Sequence, residues 1–323
     1  MPRPRVLLLE EIHPQALAWL QERATVLVAT DLTAAGLRPL VADVDGIVIR
    51  GRGRITGALL ERAPRLRVVG RHGVGLDNVD VEACTRRGIW VVYTPLAAVE
   101  AVAEHAVGLL LAVARHLASG DRAVRAGEFD AARAGLVGRN LHGQTLGIIG
   151  LGRIGERVAE ICRAAFAMPV VFCDLEPRED AAARLDARRL PLAELLAASD
   201  IVSVHVPLTP QTRHLIDAAA LARMRPGAIL VNTARGGVID EVALVAALRA
   251  GRLAAGLDVF DHEPLPADHP LAALPNVVLS PHRASHTEEA LLAMGMVVED
   301  VLRVLRGDLP RYPANRPQTE VSR

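Results

Sequence analysis

The chain has 323 residues, 51% hydrophobic and only 2% aromatic, enough for about two domains with aliphatic cores. Its 37 basic and 37 acidic residues cancel to a formal net charge of +0, which excludes a general electrostatic attraction to nucleic acid or a membrane surface. All the basic residues are Arg, so any anion site built from cationic side chains must use guanidinium groups.

From the N-terminus, MPRPRVLLLEEIHP has too short an apolar run for a signal peptide, and residues 6–9 read as a strand. Pro14 opens a helix with Leu17 and Leu20 on one face. Further strands are predicted at 26–29, 47–49, 68–69 and 89–92, with helices over 37–41, 57–62 and 81–86 between them. That alternation predicts a parallel sheet wrapped by helices over about the first 95 residues, without a Gly-rich phosphate loop. Pro95 interrupts it, and a long helix over about 99–117 carries the chain away. Its apolar centre, 107–113, is bracketed by Glu104, His105 and Arg115, unlike a membrane span. Residues 119–142 are rich in Arg and Gly with little periodicity and are expected to be irregular. A second βα series begins at Thr145, with later strands at 201–204, 229–232, 255–258 and 277–279 and helices at 192–197, 217–223 and 241–250. After Pro281 a final helix over 288–305 is long enough to return across the first domain, and a tail with Pro310, Pro313 and Pro317 is expected to be loose. Cys84, Cys162 and Cys173 lack C-x-x-C spacing and read as reduced, buried thiols of a cytoplasmic protein. No pair of histidines has metal-ligand spacing.

The second series opens on QTLGIIGLGRIGERVAEICRAAFAMPVVFCD, residues 144–174, which reads as strand, tight turn, helix, strand. Gly150, Gly152 and Gly155 form G-x-G-x-x-G: the first allows the sharp turn, the second lets backbone approach a pyrophosphate, the third lets helix and strand pack closely. The helix N-terminus adds free N–H groups and a partial positive charge. Asp174, 19 residues past the last glycine, stands where an acid meets the adenosine ribose hydroxyls. The expected architecture is therefore α/β. A flavodoxin-like substrate domain spans residues 1–96 and 286–323, and a Rossmann NAD domain spans 97–285. Both are doubly wound parallel sheets, with a cleft between them.

Four strand ends of the second domain carry polar residues that an apolar core would not tolerate, around His205, Arg235, Glu263 and His282. Arg235 offers a planar fork for a carboxylate. His282 suits proton transfer near neutral pH, and Glu263 could hold it in one orientation. A surface ion pair for Arg235, a helix cap for His282 and a solvated carboxylate for Glu263 are the plain alternatives. The glycines after Arg235 suggest that something approaches the backbone there. His72, His105, His116, His214, His262, His269 and His286 read as surface or packing residues. Together with a nicotinamide cofactor, Arg235, Glu263 and His282 describe an oxidoreductase acting on 2-hydroxy and 2-keto acids.

The stretches NTARGGVID, GLDVFDHEP and SPHRAS, with GLGRIG upstream and GRHGVGLDNVD in the first domain, resemble the D-isomer-specific 2-hydroxyacid dehydrogenases from about Asp45 to Thr287. Within that family the chain looks like the branch of phosphoglycerate dehydrogenase and hydroxypyruvate or glyoxylate reductase. The resemblance implies that Arg235, Glu263 and His282 are catalytic, and that Gly73, Val74 and Gly75 hold the substrate carboxylate. It puts Arg153 and Ile154 at the pyrophosphate, Asp174 at the ribose, and Val206 and Pro207 on the adenine side. Thr233, Ala234 and Asp258 would contact the nicotinamide half. It further implies NAD as cofactor, a small-molecule substrate, and a homodimer to which the helix over 99–117 contributes. Arg50 and Arg52, alternating with glycines after a strand, would bind the phosphate of a phosphorylated three-carbon substrate, with hydroxypyruvate and glyoxylate as alternatives. Two departures stand out: Ala98 replaces the usual Asn after Thr94-Pro95, and Arg283 and Ala284 replace the aliphatic residue and glycine after the His. A C-terminal regulatory domain, and with it feedback control by serine, is not expected. A non-catalytic NAD-sensing corepressor of the same fold is a distant alternative. A formate-type enzyme is disfavoured because it would have Gln where Glu263 stands.

Overall fold

The computed structural model describes residues 3–317. The chain divides into two compact units, Met1–Ala98 with His286–Arg323, and Val99–Ser285. The boundary at Ala98 lies two residues beyond the one expected from Pro95.

The first unit alternates β1 (Arg5–Leu8), α1 (Pro14–Gln21), β2 (Thr25–Val28), α2 (Ala34–Val41), β3 (Gly46–Ile49), α3 (Gly57–Leu60), β4 (Val68–Arg71), α4 (Val81–Arg86) and β5 (Trp90–Tyr93). The helices begin where capping residues stand. Thr33, Thr56 and Asp80 each accept a hydrogen bond from the third N–H of the helix that follows. The strands pair in parallel in the order β2-β1-β3-β4-β5, the flavodoxin-like order. Odd and even positions feed different cores. Leu7, Ile47, Ile49 and Val69 pack on one face, while Val6, Leu8, Val48 and Val68 pack on the other. A sheet buried on both faces explains the unbroken apolar runs.

The second unit starts with α5 (Val99–Ala114), α6 (Leu117–Arg125) and α7 (Phe129–Gly135). It continues with β6 (Leu146–Ile149), α8 (Arg153–Phe166), β7 (Val170–Cys173), α9 (Glu179–Leu185), β8 (Arg188–Arg189), α10 (Leu192–Ala198) and β9 (Ile201–Val204). It ends with α11 (Ala218–Arg223), β10 (Ala228–Asn232), α12 (Glu241–Arg249), β11 (Leu253–Leu257) and β12 (Val277–Leu279). All its strand pairs are parallel, in the order β12-β11-β10-β9-β6-β7-β8. From β6 the chain winds out to β8, then crosses back to β9. The switch point therefore lies between β6 and β9, where Ile149 pairs with Val204. The helix α5 lies against β11 so closely that a Cβ on Gly256 would come 2.9 Å from Leu109 Cβ. Two further helices, α13 (Glu288–Gly295) and α14 (Val297–Arg306), return to the first unit, where Val297 and Val301 join the core beside Val48 and Val68.

Four expectations need correction. Residues 119–142 are not irregular, because α6 and α7 occupy most of them. The long helix stops at Ala114, and after His116 (φ +53°) the chain turns by 62° into α6. The final helix is two helices broken at Met296, where Gly295 lies close enough to α1 that a Cβ would come 2.9 Å from Ala16. The proline-rich tail is fastened as far as Asn315. Pro313 bridges Val92, Ala314 N–H donates to Val91 O (2.7 Å), and Asp300 accepts from the N–H groups of Arg311 and Tyr312. Cys84 and Cys162 are buried, which pushes both thiols up to about 12, while Cys173 is only partly covered. Among the described residues no single helix is long and apolar enough to cross a membrane.

Candidate active site

The Gly-rich turn joins β6 to α8. Gly150 has φ +93°, and a Cβ there would come 2.8 Å from Val206 Cγ1 and 2.9 Å from the His205 carbonyl, so only glycine fits beside β9. A Cβ on Gly155 would come within 2.2 Å of Gly150 O, so this glycine is what lets α8 start against the strand. Gly152 faces open space and caps α8 without a side-chain hydrogen bond, which leaves the N–H groups of Arg153 and Ile154 available. Asp174 ends β7. Its carboxylate accepts hydrogen bonds from Leu151 N–H (2.8 Å) and Glu176 N–H (3.0 Å), so it also fastens the Gly-rich turn. Arg178 Nε lies 3.4 Å from the same carboxylate. On the next strands, Val206 is half-buried, Pro207 is exposed, and Thr233 Oγ1 is buried without a hydrogen-bond partner. An open glycine at an uncapped helix N-terminus and an orphaned buried hydroxyl both suit a dinucleotide at the switch point.

Three loops at the ends of β10, β11 and β12 meet beside it. Asn232 organises the first: its amide donates to Arg235 O (2.9 Å), and its carbonyl accepts from Ala234 N–H (3.0 Å). Arg235 is half-buried, and its guanidinium donates to Ala234 O (2.7 Å). The group that approaches Gly236 is the neighbouring loop. A Cβ there would come 1.9 Å from the Phe260 carbonyl carbon, so the glycine brings the Arg235 loop against the Glu263 loop. Glu263 Oε1 accepts from Phe260 N–H (3.1 Å), and Oε2 lies 2.7 Å from His282 Nδ1. Burial alone would raise the Glu263 carboxyl, but the hydrogen bond and charge of His282 and the Phe260 N–H outweigh it and hold the group below the usual range. His282 is half-exposed and has φ +48°, a conformation that costs a non-glycine residue. It does not cap a helix, since Thr287 caps α13.

Asp258 holds the His282 turn. Its backbone O accepts from His282 N–H (2.8 Å), and its carboxylate accepts from the N–H groups of Arg283 (2.9 Å) and Ala284 (2.8 Å). Asp258, which the family resemblance implies at the nicotinamide half, has a side chain 1% exposed, and both its carboxylate oxygens accept from the protein. His105, read from sequence as a packing residue, has Nε2 3.0 Å from Ser280 Oγ and 3.4 Å from Asp258 Oδ1. The signal was available: His105 is a polar residue inside the buried stripe Val102, Ala103, Ala106, Leu109 and Leu110. His205 is likewise tied down, with Nε2 2.8 Å from Ser203 Oγ, and burial pushes it down to about 4.

The other predicted residues lie in the first unit. The loop after β4 begins at Gly73 (φ +124°), whose N–H donates to Thr94 Oγ1 (3.0 Å). Val74 and Gly75 follow with backbone N–H groups that no described residue takes up. The chain bends at Gly51 and Arg52. Arg50 donates to Glu11 O (2.7 Å). The Arg52 side chain is 88% exposed, with Nε 3.7 Å from the Glu10 carboxylate. Ala98 is buried. Among the described residues no three His, Cys, Asp or Glu side chains gather as metal ligands would.

Residues 107–284 match the family model of the D-isomer specific 2-hydroxyacid dehydrogenase NAD binding domain. The chain is 43% identical to a glyoxylate reductase of Aeropyrum pernix, over 99% of this chain and 98% of that one. It is 42% identical to a D-3-phosphoglycerate dehydrogenase of Methanocaldococcus jannaschii, over 97% of this chain but 60% of that longer protein. Among solved structures it resembles an NADPH-dependent glyoxylate/hydroxypyruvate reductase of Sinorhizobium meliloti, with a TM-score of 0.88 and 34% identity over 97% of both chains. A matched NAD-binding domain at the Gly-rich turn, with near-complete coverage of a relative, means that the chain belongs to the D-isomer specific 2-hydroxyacid dehydrogenase family.

Proposed function

We propose that the chain interconverts a small 2-keto acid and its D-2-hydroxy acid, with His282 as proton donor, Glu263 as its orienting partner and Arg235 as the carboxylate and carbonyl ligand. The observation that carries this is the 2.7 Å contact between Glu263 Oε2 and His282 Nδ1. With Nδ1 so engaged, Nε2 is left to meet a substrate oxygen. Gly150, Gly152, Arg153, Ile154 and Gly155 would hold the pyrophosphate, and Asp174 the ribose. Val206 and Pro207 would line the adenine side, and Thr233, Ala234 and Asp258 the nicotinamide side. NADH, when bound, would supply a hydride to the keto carbon. His282 Nε2 gives the proton to the keto oxygen, and Arg235 stabilises the charge that grows on that oxygen before the proton arrives. The free N–H groups of Val74 and Gly75 suit a substrate carboxylate. In the reverse direction His282 takes the proton back.

The unphosphorylated acids glyoxylate and hydroxypyruvate fit the first unit better than phosphohydroxypyruvate does. Arg50 is committed to Glu11 O, and the Glu10 carboxylate beside Arg52 would repel a phosphate dianion. The phosphorylated reading keeps one supporting observation, the 88% exposed Arg52 side chain just past the carboxyl end of β3. Measuring kcat/KM for NADH-dependent reduction of the three keto acids separates the readings. Glyoxylate or hydroxypyruvate should lead; a higher value for phosphohydroxypyruvate would reverse the order and restore the phosphate role of Arg50 and Arg52. We also infer a homodimer. Leu117, Val124, Phe129 and Val137, on and just after α6 and α7, are all more than half exposed, an apolar surface that a second copy would cover. Reduced cysteines suit a cytoplasmic location.

A further inference from the structure

The buried carboxylate of Asp258 raises a question that the proton-transfer reading does not answer. An ionised side chain 1% exposed is costly unless donors satisfy it. Two donors are the backbone N–H groups of Arg283 and Ala284, which immediately follow His282. The third contact is a side chain, the His105 imidazole, whose Nε2 lies 3.4 Å from Asp258 Oδ1 and 3.0 Å from Ser280 Oγ. A carboxylate only accepts, so His105 Nε2 carries the hydrogen that faces Asp258 Oδ1 and Ser280 Oγ. Asp258 holds the His282 turn through the N–H groups of His282, Arg283 and Ala284, the Ser280 carbonyl also accepts from His282 N–H (3.1 Å), and His105 touches both holding residues.

The turn needs such a grip. His282 stands at φ +48°, and a strained residue persists only where its surroundings over-determine it. The grip also comes from a rigid element. α5 is seated on β11 at Gly256, two residues before Asp258, with no room for a side chain between them. We propose that His105 is a positioning residue for the reaction, which acts through Ser280 and Asp258 to hold the turn that presents His282. This rests on the reading of His282 as proton donor. Removing the imidazole leaves the Asp258 carboxylate both of its backbone donors, so the fold survives while the turn loosens, and a loosened acid–base group costs turnover more than binding.

The test uses the full-length protein with His105→Ala and His105→Gln, and two readouts. The first is amide hydrogen exchange at residues 282–284, measured without substrate. The second is kcat and KM for the best keto acid, together with NADH affinity from the cofactor's own fluorescence. In His105→Ala, exchange at Arg283 and Ala284 should speed up about tenfold, and kcat should fall on the order of tenfold, with NADH affinity within about threefold. His105→Gln, whose amide can donate to Ser280 and Asp258, should restore both. Unchanged exchange at 283 and 284 would overturn the proposal, as would faster exchange with unchanged kcat or a loss that Gln does not recover. Because exchange is read without turnover, a wild-type protein inactive on every keto acid would sink the proposed function and leave the grip on the turn to be judged by exchange alone.

Discussion

His282 and Glu263 lie 19 residues apart in sequence and 2.7 Å apart in space, and Arg235 sits on the loop packed against the Glu263 loop. Side chains with this chemistry were legible in the sequence because they interrupt apolar strands at their ends, where a buried position would not tolerate them. What the glycines after Arg235 do was partly legible. They signalled a close approach to the backbone, which Gly236 bears out, but that the approaching group is the Phe260 carbonyl is a matter of tertiary packing. At His105 the polar residue in an apolar stripe was legible, but its contacts with Ser280 and Asp258 depend on how α5 seats on β11, a fact of tertiary packing. If the Arg235 fork binds a planar carboxylate, Arg235→Lys keeps the charge but loses the paired geometry. Its kcat/KM for keto acids should fall by about 10²-fold or more, the range for losing one donor to a developing oxyanion. Steady-state kinetics near neutral pH would check this, and a lysine variant within a few-fold of wild type would show that charge alone suffices.

Among the elements, the β6–α8–β7 unit was the most legible, since glycine chemistry and strand–helix–strand periodicity agree over residues 144–174. The segment α6–α7 was missed for a physical reason: neither helix buries a residue in this chain, and their few apolar side chains stand among Arg, Gly and Ala. The tail was misread because prolines signal loose chain, while its hold on β5 comes from Asn315 and the backbone around Pro313. Cofactor choice belongs to this scale. Asp174 ends β7 with a carboxylate 10% exposed, and it would repel a 2′-phosphate while accepting from ribose hydroxyls. Arg178 is the counterweight, but its Nε already lies 3.4 Å from that carboxylate. NAD should therefore be used more efficiently than NADP, as kcat/KM with each cofactor would show. Equal efficiency would mean that Arg178 turns to the phosphate.

At the scale of the whole molecule, buried titratable groups set how stability responds to acid. Burial, with the charges of Arg50 and Arg71, lowers His72 from 6.5 to about 3. The unfolded chain therefore takes up this proton first, and stability is lost as pH falls from about 6.5 toward 3, at ~1.4 kcal/mol per unit. Asp200, Asp258 and Glu263 are held below their ordinary values, so their contribution is present above about pH 4.5 and is lost only as pH falls through those lowered values. The melting temperature should thus begin to drop well above the carboxylate range, and His72→Leu should flatten that upper part of the curve. A melting temperature constant from pH 7 to 5 would mean that His72 accepts its proton while folded. In the proposed reaction a proton from His282 and a hydride from NADH reduce a 2-keto acid. The most direct test is NADH consumption with glyoxylate by wild type and by His282→Ala, with NADH binding measured on both. Wild type should turn over and bind, while the variant should bind as well but lose ~10²–10⁴-fold in kcat. A variant that keeps most of its turnover would contradict the account.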